Sequence, residues 1–177
     1  QFSSFRNSED LFHLTKQIIN ILNSYEDLKF TQTYEPQDLF RDLYIGIIPQ
    51  IVRHSLGEYF TPSWLADSVI TNSLRMVGND WRGLDPCCGS GIFLIQLIKK
   101  IVAGIDIDTL TTEKKNELLK NILHRIKGVD LNPLAILTTR VNYLIAISNL
   151  VGENEIEIPV YLGDSVNLPQ EIDIDGV

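Results

Sequence analysis

Between residues 61 and 162, apolar positions switch between a spacing of three or four and short continuous runs, which is the pattern of helices alternating with buried strands. Trp64, Leu65, Val69, Ile70 and Leu74 follow at helical spacing, predicting a helix with Thr61 as its cap, Pro62 in its first turn and Gly78 at its end. A strand is expected from Trp81 to Asp85, then a helix from Ser90 to Val102. Thr111 or Thr112 with Glu113 opens another helix that runs to His124. Ile126 to Asp130 forms a second strand, Pro133 to Leu150 a long helix, and Ile158 to Leu162 a third strand. This alternation predicts an α/β fold whose parallel sheet binds ligands at the carboxyl ends of its strands. Asp85, Asp130 and Asp164 all fall there.

Ahead of this region the pattern is helical only. Ser8, Glu9 and Asp10 precede Leu11, Leu14, Ile18, Ile21 and Leu22 at helical spacing, and a second helix is expected from Gln37 to His54, weakened by Gly46 and Pro49. The division is a helical lead-in over 1–55 and an α/β part over 56–177.

The run Leu84-Asp85-Pro86-Cys87-Cys88-Gly89-Ser90-Gly91-Ile92-Phe93-Leu94 is a strand that breaks into a glycine turn and opens a helix. Gly89 and Gly91 permit dihedrals and a close approach that a Cβ forbids, and the helix start aims N–H groups at whatever lies above. Dinucleotide folds hold a pyrophosphate with three glycines at such a turn. Here the turn is G-S-G behind an acid, Asp85. An acid repels phosphate and suits an ammonium. A ligand with an amine, a ribose and an adenine but no phosphate is S-adenosylmethionine.

Three segments carry a resemblance. Asp85 through Leu94 match the form D-P-x-C-G-S-G-x-F-L, Leu56-Gly57-Glu58-Tyr59-Phe60-Thr61-Pro62 matches G-x-[FY]-[YF]-T-P, and Gly128-Val129-Asp130-Leu131-Asn132-Pro133-Leu134-Ala135 matches G-x-D-x-N-P-x-A. In this order they resemble the amino-terminal half of the methyltransferase domain of adenine-N6 DNA methyltransferases from restriction–modification systems. The resemblance implies a Rossmann-like S-adenosylmethionine-dependent methyltransferase fold and a cofactor site. In that site Asp85 meets the methionine ammonium, with Pro86, Gly89 and Gly91 shaping the turn. Tyr59, Phe60, Thr61 and Pro62 lie over the methionine end. Asp130, with Leu131 and Asn132, meets the ribose, Asp164 accepts from the adenine amine, and Phe93 and Pro133 border the adenine ring.

Spacing alone chooses another ribose acid. Asp106 lies 21 residues after Asp85, close to the roughly 20 of a compact nucleotide unit. A helix running to Ala103 leaves too few residues for a strand ending at Asp106, so Asp130 is expected to hold the ribose.

Composition narrows the class. With 177 residues and 44% hydrophobic content the chain suits about one domain. No apolar run is expected to reach the roughly 18 residues that span a bilayer, and no basic-then-apolar leader stands at its start, so a cytoplasmic chain without a membrane partner is expected. Cys87 and Cys88 are read as small buried thiols under the turn, not a disulfide framework. His13, His54 and His124 lack metal-ligand spacing, and no metal is expected.

The net charge of −8 opposes phosphate binding. DNA is therefore expected as a partner of the complete protein through regions outside this chain, such as a target-recognition domain or subunit. Enzymes that methylate an exocyclic amine carry an N-P-P-[YFW] or D-P-P-[YFW] loop after strand four. All seven prolines here are isolated, and the acidic stretch Glu171 to Asp175 closes the chain at Val177. The expectation is a cofactor-binding fragment in which no residue is catalytic. An RNA or protein-glutamine methyltransferase, and a cofactor-binding module without transfer activity, are the alternatives. The segment from Gly57 to Pro62 favours DNA.

Overall fold

The computed structural model describes residues 50, 51, 59–152 and 154–167. Of the helical lead-in, only Gln50 and Ile51 are described, and both are helical. The two expected helices before residue 55, the domain boundary, Leu56 to Glu58 and the acidic stretch after residue 170 otherwise lie outside the described residues.

The described elements are α1 (Ser63–Leu74), β1 (Gly83–Asp85), α2 (Ile92–Val102), a single 3-10 turn (Ile107–Thr109), α3 (Thr112–Arg125), β2 (Ile126–Asp130), α4 (Pro133–Val151) and β3 (Val160–Leu162). All three strands are parallel in the order β1-β2-β3, with Asp85 beside Gly128 and Asp130 beside Leu162. The architecture is the expected one, a parallel sheet flanked by helices, in the manner of a partial Rossmann-like methyltransferase fold. Its carboxyl edge carries Asp85 and Asp130 at strand ends and Asp164 two residues beyond β3.

The core forms where helices bury their stripes on this sheet. Leu94 and Ile98 of α2, Ile122 of α3, Ile126 of β2, Tyr143 and Ile147 of α4 and Val160 of β3 are all fully buried. Tyr143 brings a polar tip into this core, and its hydroxyl meets the carbonyls of Ile122 and Ile126 at 3.3 and 3.2 Å. That junction has no loop, because α3 passes straight into β2 at Ile126.

Local chemistry sets the element ends, and in several places it corrects the sequence reading. Pro62, not Thr61, caps α1: with ψ at 143° it stands outside the helix, and its carbonyl accepts from the N–H groups of Leu65 and Ala66. The helix stops at Leu74, short of Gly78. Its buried face is Ala66 and Ile70, while Trp64 and Val69 face outward. Beside that face α1 meets α2 through polar contacts, Gln96 Nε2 donating to Ser63 Oγ at 2.8 Å and Lys100 pairing with Asp67 at 2.7 Å.

Strand β1 is two residues shorter than expected. The Trp81 carbonyl accepts from Arg125 Nε at 2.7 Å, that of Asn79 accepts from Arg125 Nη2 at 2.8 Å, and the guanidinium lies 4.3 Å from the Trp81 ring centroid. Such a cation–π contact with two charge-assisted bonds holds the approach to β1 without a ladder. β3 likewise begins at Val160, not Ile158.

Thr111 caps α3, accepting from Lys114 N at 3.5 Å, and Asn132 caps α4, accepting from Leu134 N at 2.9 Å ahead of Pro133. By length and composition α4 could cross a bilayer, which the sequence reading did not anticipate. Its buried side, Ala135, Ile136, Thr139, Asn142, Tyr143, Ile147 and Leu150, packs into this fold instead.

Candidate cofactor site

Leaving β1, the chain stays tied to β2 for one more step, Cys88 N donating to Val129 O at 3.0 Å, and then turns sharply as Gly91 N reaches Cys88 O at 2.7 Å. Gly89 and Gly91 take φ of 53° and 86°, the left-handed region that favours glycine. The two glycines serve different needs. A Cβ on Gly89 would meet nothing within 4 Å, whereas one on Gly91 would lie 2.8 Å from Thr139 Cγ2. Gly128 of β2, which the sequence offered only as the first position of its motif, is a third close approach, since its Cβ would fall 2.7 Å from Leu94 Cδ1 and 3.3 Å from Cys88.

Asp130 organises the top of this turn. One carboxylate oxygen accepts from Gly89 N and the other from Asn132 N, each at 2.8 Å, so the acid joins the glycine turn to the start of α4. Asp85 is different. Its Oδ1 accepts from Cys87 N at 3.1 Å, while its Oδ2 is buried with no hydrogen-bond partner. Burial pushes the Asp85 carboxyl above the usual carboxylate range, the Cys87 N–H opposes this, and the nearby Asp130 charge adds to it.

These groups line one cavity of about 540 Å³, within the roughly 300–1,000 Å³ of small-molecule sites. From the segment before α1 come Tyr59, Phe60 and Thr61; from the turn Asp85, Pro86, Gly89 and, one residue into α2, Phe93; from beyond β2 Asp130, Leu131 and Asn132; and from beyond β3 Asp164. Eleven of the thirteen residues expected at the cofactor therefore share its wall. Pro62 and Gly91 do not, being the cap of α1 and the cap of α2. Pro133 also lines it.

Asp106 is exposed, precedes the 3-10 turn and lies outside the wall, and no strand forms there. Asp164 sits on the wall but is engaged locally, accepting from Val166 N at 2.9 Å, Asn167 N at 3.1 Å and Asn167 Nδ2 at 2.7 Å. Those bonds, the Asn167 side chain foremost, hold its carboxyl below the usual range.

The cysteines part company. Cys88 is buried as expected, and burial pushes its thiol up to about 12. Cys87, expected to be buried with it, is exposed and lines the cavity, with Sγ 3.9 Å from Ser165 Oγ. A turn this tight can face only one of two adjacent side chains inward. Sequence reasoning also passed over Thr139 and Asn142, which bond the turn from α4. The available signal was two polar residues on the stripe formed by Ala135, Ile136, Tyr143 and Ile147. Among the described residues no group of His, Cys, Asp or Glu could hold a metal ion.

A family profile described as N-6 DNA Methylase matches residues 35–175. The Type II methyltransferase M.VspI of Vibrio sp. (strain 343) is 27% identical over 124 residues, covering 67% of this chain and 28% of its own length. The adenine-specific methyltransferase PglX of Streptomyces coelicolor is 26% identical over 142 residues, covering 73% of this chain and 11% of its own. The chain thus spans under a third of either relative.

Two solved structures share the fold. The ATP-dependent Type ISP restriction-modification enzyme LlaBIII bound to DNA matches 71% of this chain and 9% of its own, with a TM-score of 0.50 at 15% identity. A nuclease-deletion mutant of the Type ISP enzyme LlaGI with a DNA substrate mimic matches 98% and 16%, with a TM-score of 0.51 at 14% identity.

Proposed function

The chain belongs to the N-6 DNA methylase family, and from that premise we propose that it is the S-adenosylmethionine-binding part of an adenine-N6 DNA methyltransferase of a restriction–modification system. The observation that carries this reading is Asp85 Oδ2, a buried carboxylate oxygen without a partner on a cavity wall. Leaving such an atom unpaired costs free energy that an ammonium donor returns. The donor set around it suits the rest of that cofactor. Each Asp130 oxygen accepts one backbone N–H and keeps a further lone pair, enough for two ribose hydroxyls. Thr61, close to the positive end of α1, suits the methionine carboxylate. Phe93 and Pro133 offer apolar surface to the adenine, and Asp164 an acceptor to its amine.

When bound, the cofactor supplies an electrophilic methyl group. Asp85, Asp130 and Thr61 would hold and orient it, fixing the position from which its methyl group could be offered to an adenine amine. Acceptance of the amine hydrogens and stacking of a flipped base are assigned to an N-P-P-[YFW] loop, a run that this sequence does not contain. DNA and a target-recognition domain or subunit are the proposed partners of the whole protein, and the cytoplasm its proposed location.

Isothermal titration of the 177-residue chain with S-adenosylmethionine tests the reading; no heat of binding would sink it. Asp130→Ala is expected to weaken binding by about 1.5–3 kcal/mol through lost charge-assisted bonds. Asp106→Ala, at an exposed site away from the wall, should change it by less than about 0.5 kcal/mol. The reverse order would place the ribose elsewhere.

A second expectation follows from charge. At −8 the chain opposes a polyanion. It should neither retain duplex DNA in a shift assay at physiological salt nor transfer labelled methyl to adenine by itself. Transfer above a heat-killed control would mean that the amine-activating groups lie among these residues.

A further inference from the structure

The glycine turn is held from two sides, and the second side belongs to α4, not to a strand. Thr139 Oγ1 donates to Gly89 O at 2.5 Å, Asn142 Nδ2 donates to Ser90 O at 2.9 Å, and the Cys88 thiol donates in turn to Thr139 Oγ1 at 3.9 Å. Thr139 and Asn142 are 0% and 2% exposed, and neither lines the cavity. In a planar trans peptide the C=O and the following N–H point opposite ways. Anchoring Gly89 O and Ser90 O on α4 therefore turns the Ser90 and Gly91 N–H groups away from that helix. Gly91 N then closes onto Cys88 O, and Ser90 is presented on the cavity wall.

Stability alone is a poor account of this pair. Asn142 keeps its Oδ1 buried without a partner, a cost that an apolar side chain at the same place on the helix stripe would not carry. The bond that offsets it goes to the turn and nowhere else among the described residues. We propose that Thr139 and Asn142 are positioning residues of the cofactor turn, fixing the Gly89 and Ser90 carbonyls so that the turn is preformed for S-adenosylmethionine. This rests on the reading of the cavity given above, and it adds to that site two residues that touch no ligand.

The test compares the parent chain with Thr139→Val, Thr139→Ser and Asn142→Leu. Valine keeps the threonine shape without its hydroxyl, and serine restores the hydroxyl. Affinity for S-adenosylmethionine should fall about tenfold in Thr139→Val and in Asn142→Leu, and Thr139→Ser should recover it. Thr139→Ser binding no better than Thr139→Val, or both non-conservative variants binding as the parent does, overturns the proposal. Should Asn142→Leu fail to fold, the Thr139 pair decides.

A second readout needs no ligand. The chain has two cysteines, of which Cys87 is exposed and Cys88 buried, so an aromatic disulfide reagent should find one fast and one slow thiol in the parent. Release of the turn should speed Cys88. If the parent binds no S-adenosylmethionine, the cavity reading has failed, and the positioning role is then decided here: a Cys88 as slow in Thr139→Val and Asn142→Leu as in the parent overturns it.

Discussion

Gly91→Ala is expected to cost roughly 2–5 kcal/mol of folding stability, the sum of an L-residue forced to positive φ and an overpacked contact. Both penalties are visible at this residue. Its φ is 86°, and the added Cβ would sit 2.8 Å from Thr139 Cγ2, on a side chain with no exposed surface and little room to yield. Against a typical total of about 5–15 kcal/mol this is a large share. Gly89→Ala is the internal control. There φ is 53° and nothing lies within 4 Å, so only the backbone penalty of about 1–2 kcal/mol applies. Urea unfolding of both variants, with unchanged slopes, gives the two costs directly. Equal costs would mean that contact with α4 does not constrain Gly91.

That contact explains much of what was legible in the sequence and what was not. The limits of α4 and β2 were visible because Asn132 and Pro133 punctuate them, and side-chain capping and proline chemistry are local. Asp85 and Asp130 were legible as strand-end acids because each closes a short apolar run before a turn, with Asp164 two residues past the third; the expectation that these strands are buried holds for Ile126 and Val160 but not for Leu84 and Leu162, which are exposed at the carboxyl edge. The outward face of α1 was not, because the spacing of Trp64, Leu65 and Val69 marks a helix without saying which side finds a partner. Trp81 looked like strand, and the Arg125 guanidinium that actually holds it lies 44 residues away. The spacing rule that points to Asp106 presumes one helix between the first two strands. Here a 3-10 turn and the 14-residue α3 intervene, and Asp130 takes the place at the sheet edge. Thr139 and Asn142 were hidden for a related reason. A polar residue within an apolar helix is ordinary, and only the fold shows that the turn it bonds lies about fifty residues earlier in the chain.

Asp85→Asn should make the ligand-free chain more stable at neutral pH while weakening its hold on S-adenosylmethionine. The carboxyl lies in the wall with Oδ2 buried and unpaired, and burial, with a smaller push from Asp130, raises it above its ordinary 3.8. The sign follows from linkage. A carboxyl raised by folding costs nothing below its unfolded value, where it is protonated in both states; the cost grows as pH rises from there and is fully present above the folded value. Asparagine keeps an oxygen for the Cys87 N–H and replaces a buried charge by a neutral amide, whose unpaired donor is the smaller penalty.

A gain of about 1 kcal/mol, or a melting temperature higher by roughly 2–4 °C, is expected at pH 7. The gap between variant and parent should close on acidification through the raised pKa. Measuring that gap isolates Asp85 from Asp164, whose lowered carboxyl works in the opposite sense, stabilising the fold above its unfolded value and ceasing to do so as pH falls through the folded one. Binding should move the other way. Without the carboxylate the ammonium loses a charge-assisted bond, which weakens affinity by about 1.5–3 kcal/mol, and the parent should show a similar decline as acid neutralises Asp85. Thermal shift with and without S-adenosylmethionine displays both effects in one experiment: the ligand raises the parent's melting temperature and leaves the already higher value of the variant nearly unmoved. A variant less stable than the parent, yet stabilised by the ligand to the same degree, would show that Asp85 supports the turn and does not meet the cofactor.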